Sequence, residues 1–205
     1  MLGALLSALV LLVAYFSFQL FWFAPVTVIA LCYTLALIPA RGRWVRLRDI
    51  PYLKIFIIVS VVTYISFCMP FLWHEGLESS LLQPSVKLMI LGRALFLFAI
   101  TLPFDIRDLD FDKNTRLKTI PGAVGVRNSK IISLVVLAAF VLVEWVHYVA
   151  YAGDAKIFLA LAASGVVAGI LVIKAQPSSS EYFYSLGLEG TMIVQFLLVL
   201  LASAI

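Results

Sequence analysis

Charge is scarce in this sequence. Asp, Glu, Lys and Arg together make 13% of its 205 residues, about half the share of a soluble domain. That scarcity excludes an ordinary water-soluble globule. Cysteine is scarce too: Cys32 and Cys68 stand alone in apolar stretches, which gives neither a disulfide framework nor metal-ligand spacing. Acidic residues are missing from the first part of the chain, with no Asp before Asp49 and no acidic cluster before residue 105. The first twenty residues have no basic segment ahead of their apolar core and no clear cleavage site, so they read as a retained helix and not as a signal peptide.

What is present is apolar. Hydrophobic residues make 63% of the chain, and the mean hydropathy is +1.09. The chain reads as one transmembrane helical domain over residues 1–205, an all-α polytopic bundle. A hydrocarbon core of about 30 Å takes about 20 apolar residues per helix. Seven stretches qualify: 2–18, 26–38, 52–73, 86–104, 131–151, 157–173 and 186 to the C-terminus. The net charge of +4 is no nucleic-acid signal, because the basic residues gather in two loops. Residues 41–54 carry five Lys or Arg, and residues 105–130 carry six. Two crossings separate these loops, so they share a side. The positive-inside rule makes that side the cytoplasm, together with the N-terminus. The expected location is a cell inner or plasma membrane.

One loop concentrates the chemistry. Asp105, Asp108, Asp110 and Asp112 fall within eight residues, among Arg107, Lys113, Arg116 and Lys118. If the preceding helix continues, Asp105, Asp108 and Asp112 share one face and Asp110 turns away. Like charges on one face repel each other unless a cation sits among them. Mg²⁺ suits such a cluster, since it binds through one or two carboxylates together with substrate phosphates. Arg and Lys suit the phosphate oxygens. The alternative is a solvated, charge-mixed loop.

Other polar residues carry two readings each. Arg93 either points into a cavity closed by the aspartates or snorkels to the outer interface near Lys87; the second is favoured. Lys54 either reaches a phosphate or flanks its helix as a topology signal, as Arg46 and Arg48 do. Glu144 and His147 are a buried pair or, preferably, polar neighbours of the aromatic belt of Trp145, Tyr148 and Tyr151. Glu189 is a helix-capping acid or part of the polar mouth, and Tyr182 and Tyr184 are interfacial anchors or mouth residues.

The segment Leu102-Pro-Phe-Asp105-Ile-Arg-Asp108-Leu-Asp-Phe-Asp112-Lys-Asn-Thr-Arg116-Leu-Lys118-Thr-Ile-Pro121-Gly-Ala-Val-Gly125 resembles the second aspartate-rich motif of the UbiA superfamily of membrane prenyltransferases. That motif reads D-x-x-D-x-x-x-D, then a basic turn and a Gly before the next helix. Tyr33, the run Arg48 to Lys54, and the approach from Glu181 to Gly190 are weaker echoes. The resemblance implies that this chain corresponds to helices three to nine of the family fold. It implies Mg²⁺ as cofactor, with Asp105, Asp108 and Asp112 as metal ligands and Asp108 and Asp112 as catalytic residues. It assigns diphosphate contacts to Lys54, Arg107, Arg116 and Lys118. The implied reaction moves a prenyl group from a prenyl diphosphate to an aromatic or other hydrophobic acceptor, with the membrane lipid around it and no nucleic acid. The family's first motif, N-D-x-x-D-x-x-x-D, has no counterpart in these 205 residues. A non-catalytic relative that binds isoprenoid diphosphate, or serves as a partner subunit, is therefore the second expectation. A CDP-alcohol phosphotransferase would need a D-G-x-x-A-R run that is missing. A cation transporter would need acidic residues along a pore, where the helices offer Glu144.

Overall fold

The computed structural model describes residues 22–40, 43–73, 78–114 and 117–204. The predicted first helix at 2–18 lies outside them. The described residues form seven helices. These are α1 (Ala24–Thr34), α2 (Leu53–Leu72), α3 (Pro84–Arg107), α4 (Leu109–Asn114), α5 (Ile120–Ala150), α6 (Ala155–Lys174) and α7 (Phe183–Ala204). Five of them, α2, α3, α5, α6 and α7, are long and apolar enough to cross a membrane. The protein is an all-α polytopic helical bundle and an integral membrane protein.

Helix boundaries follow local chemistry. Pro84 opens α3 after an extended Gln83, where its missing N–H is no loss. Asp154 caps α6 by accepting a hydrogen bond from the Lys156 N–H at 2.8 Å. α5 begins at Ile120, well before the predicted 131. Pro121 sits in its first turn, so this proline starts the helix and does not break the loop. Gly125 then interrupts α5 with φ 82° and ψ 164°, a conformation open essentially to glycine alone.

The stretch predicted as a spanning helix at 26–38 is a correction. α1 has 11 residues, about 16 Å of helix against the ~30 Å a crossing requires. Leu35 is extended, and the chain enters a two-stranded antiparallel ladder, β1 (Ile38–Ala40) with β2 (Arg43–Val45), pairing Ile38 with Val45 and Pro39 with Trp44. Proline at a short edge strand is permitted where it cannot extend a helix.

α3 is the centre of the bundle. Phe96, Ala99, Ile100 and Leu102 are buried on it and pack with Ile55 and Val59 of α2, Leu137 and Phe140 of α5, Ala168 and Val172 of α6, and Tyr184 and Leu188 of α7. Contacts between the long helices use small residues. A Cβ at Gly165 would stand 3.4 Å from the Phe140 ring, the close approach that small residues give to membrane helices. Val135, Leu142, Leu159, Val166, Ile193 and Phe196 are exposed; in a bilayer this apolar exterior faces lipid.

Two segments depart from α geometry. Tyr64–Cys68 within α2 and Phe183–Leu188 at the start of α7 are π-helical, a local expansion frequent at functional positions. The first carries Ser66, which touches Arg93, and the second carries Tyr184, which touches Arg107.

Candidate functional site

The Asp-rich segment continues the path of α3. After a turn at Asp108, the Asp112 N–H bonds the Asp108 carbonyl at 2.9 Å, so the i→i−4 ladder carries on into α4. Asp105 and Asp112 are buried, Asp108 is partly exposed and Asp110 is exposed. The three aspartates of the shared face turn toward α2.

Lys54 meets them there. The chain makes a sharp turn after Pro51, with Tyr52 in the left-handed region at φ 62°. The Tyr52 N–H bonds the Lys118 carbonyl at 3.0 Å, tying the segment before α2 to the segment before α5. Both basic segments thus lie on one side of the bundle. Two residues later, the Lys54 Nζ stands 2.9 Å from Asp105 Oδ1 and 3.7 Å from Asp108 Oδ2. The repulsion along the aspartate face is offset by this ammonium. Burial pushes the Asp112 carboxyl above its ordinary value of 3.8, and the Lys54 charge opposes that rise.

Arg107 closes the other flank. Its Nε–H donates to Asp108 Oδ1 at 2.8 Å. Its guanidinium lies over the rings of Phe104 at 5.3 Å and Tyr184 at 5.5 Å. Tyr184 is fully buried and donates its hydroxyl to the Gln176 carbonyl at 2.7 Å, so Arg107 rests on a fixed aromatic floor.

Two cavities open from these charges. One, of about 250 Å³, runs from Lys54, Asp105, Arg107 and Asp108 along an apolar wall that includes Ile58, Leu97 and Met192, with Glu189 at its polar end. The other, of about 500 Å³, holds Arg46, Arg48, Asp49, Lys54, Asp108 and Asp112. Arg46 and Arg48 read from sequence as topology residues, yet they line this mouth; their signal was the basic run 41–54. Glu189 lines the smaller cavity, at the end of the π-helical turn of α7. Tyr182 is exposed. The Lys118 side chain is exposed and the residue serves through its backbone carbonyl. Arg116 lies outside the described residues.

Among the described residues, no group of three or more His, Cys, Asp or Glu side chains is placed to hold a metal ion by itself. Asp105 and Asp108 nevertheless converge on one cationic group, the Lys54 ammonium. Such a donor set fits Mg²⁺ that arrives with a phosphate ligand, which requires one or two carboxylates. No family model, curated protein or solved structure matches the chain.

Proposed function

We propose that this protein is a UbiA-like integral membrane prenyltransferase, which moves a prenyl group from a diphosphate to a hydrophobic or aromatic acceptor. The observation that carries the reading is the join of two unlike surfaces. Lys54, Arg107, Asp105 and Asp108 stand at one end of a groove whose other walls are mostly apolar. An amphiphile with an anionic head and a hydrocarbon tail matches that join.

In this reading Lys54 and Arg107 contact the diphosphate oxygens, joined by Arg46 and Arg48 from the wider mouth. Preorganised cations at a leaving group stabilise the charge that develops on it. Asp105, Asp108 and Asp112 would hold Mg²⁺ only together with the diphosphate, and the ion would supply further charge stabilisation there. The apolar walls of α2 and α3 shield the allylic cation from water. The basic segments 41–54 and 105–130 face the cytoplasm, where the positive-inside rule puts them.

A specific observation favours a second reading, a diphosphate-binding protein without transfer chemistry. Lys54 already pairs with Asp105 and Asp108, so the mouth is partly neutralised from within. The two readings separate on release of pyrophosphate from farnesyl diphosphate by the purified chain, supplied with Mg²⁺ and a lipid extract as a source of acceptors. Release that stops with Asp108→Asn supports transfer. Binding without release supports the second reading.

A further inference from the structure

A second polar centre lies deep in the bundle. Arg93 stands on α3, 12 residues before Asp105, about 18 Å away along the helix. It does not snorkel to an interface. Its Nε–H donates to Ser66 Oγ at 3.3 Å and its Nη1–H to Gln195 Oε1 at 2.7 Å. Gln195 is buried and donates through Nε2 to Ser164 Oγ at 3.2 Å. Side chains of α2, α3, α6 and α7 are thereby joined inside the apolar bundle.

Glu144 of α5 faces the same cavity. It is 7% exposed, and among the described residues it makes no hydrogen bond and no ion pair. Its carboxyl lies directly over Gly92, where any Cβ would collide with Oε1. The glycine next to Arg93 thus makes room for the acid. The cavity measures about 410 Å³, and Phe140, Leu161, Met192 and Phe196 supply its apolar wall. Its volume, apolar lining and few polar groups match small-molecule sites in general.

Intramembrane charges of opposite sign ordinarily pair with each other. Arg93 and Glu144 line one space without an ion pair between them. A guanidinium has five N–H donors, and two of those on Arg93 are used. The remaining donors and the Glu144 oxygens leave a gap with a donor side and an acceptor side. We propose that this cavity binds a small lipid-soluble molecule bearing an acidic hydroxyl, a phenol or a carboxylic acid, bridging Arg93 and Glu144. Its O–H donates to Glu144, and its oxygen, made more negative by that bond, accepts from Arg93. A neutral alkyl ether or ester cannot do both.

The test uses the full chain in dodecylmaltoside. Melting temperature is followed with para-heptylphenol and with lauric acid, against para-heptylanisole and methyl laurate, which keep the shapes but lack the O–H. We expect stabilisation by the phenol, the acid or both, and none by the ether or the ester; which arm responds identifies the ligand type. Arg93→Gln and Glu144→Gln should each weaken the response about tenfold, the worth of one charge-assisted hydrogen bond. In the wild-type chain in phosphatidylcholine vesicles, para-heptylphenol but not para-heptylanisole should also slow coupling of dicyclohexylcarbodiimide to Glu144 where the phenol arm responds. Equal effects of hydroxyl and capped compounds, or no effect of any, would overturn the proposal, even if both variants fail to fold.

Discussion

Lys54 and Asp105 form the most buried ion pair on the helix face that carries the aspartates, with Nζ 2.9 Å from Oδ1 and the carboxylate side chain 5% exposed. The pair joins the first turn of α2 to the last turn of α3, and Asp108 shares the same ammonium. Removing one partner of a buried pair leaves an uncompensated charge. Lys54→Met should therefore cost about 3 kcal/mol of stability. Lys54→Met with Asp105→Asn should recover much of that loss, because the orphaned charge is gone. Denaturant titration of the single and double variants in detergent measures the coupling.

Arg107 is fixed by stacking as well as by charge. Lysine keeps the charge but not the planar face that lies on Phe104 and Tyr184. Arg107→Lys should lower stability by about 1 kcal/mol, the size of a cation–π contact. In Tyr184→Leu the same substitution should cost clearly less, and the double-mutant cycle reads the difference.

Asp112 gives the site a pH dependence. Its folded-state carboxyl is held above 3.8, chiefly by burial. The unfolded chain therefore releases this proton first as pH rises, and stability falls from about the unfolded value up through the raised folded one. Asp112→Asn removes that decline. The melting temperature of the variant relative to wild type should rise between pH 4 and pH 7, a range of our choosing. A constant difference across it would contradict the buried assignment.

Gly125 interrupts α5 near its start. At φ 82° it occupies a region that other residues reach only under strain, and a Cβ there would meet no atom within 4 Å. The cost of Gly125→Ala is therefore conformational, on the order of 1–3 kcal/mol. Gly122→Ala, at a position without positive φ, should cost less. Thermal unfolding of the two variants compares them directly.

The sequence made the aspartate face legible because helical periodicity places Asp105, Asp108 and Asp112 together whatever surrounds them. It also marked the long apolar helices, where length and composition decide. It was less informative where tertiary packing decides. Arg93 lies near Lys87 in sequence and favoured an interface position, yet Ser66 and Gln195, distant along the chain, draw it inward. Glu144 lies among belt aromatics, and only the close approach of α5 to Gly92 shows that it is enclosed. Hydropathy alone makes residues 26–38 one crossing, because Leu35, Leu37 and Ile38 continue the apolar run of α1. Backbone conformation there is set by Pro39 and by pairing with Trp44 and Val45, and hydropathy does not register either.

The central claim is that the aspartate face, with Lys54 and Arg107, is a diphosphate site. The most direct measurement is equilibrium binding of farnesyl diphosphate to the detergent-purified chain, with and without Mg²⁺, for wild type, Asp108→Asn and Asp110→Asn. The account predicts binding that disappears with EDTA, falls about tenfold or more in Asp108→Asn, as expected when a charged ligand is lost, and persists in Asp110→Asn. No Mg²⁺-dependent binding by the folded wild-type chain, or equal losses in both variants, would contradict it.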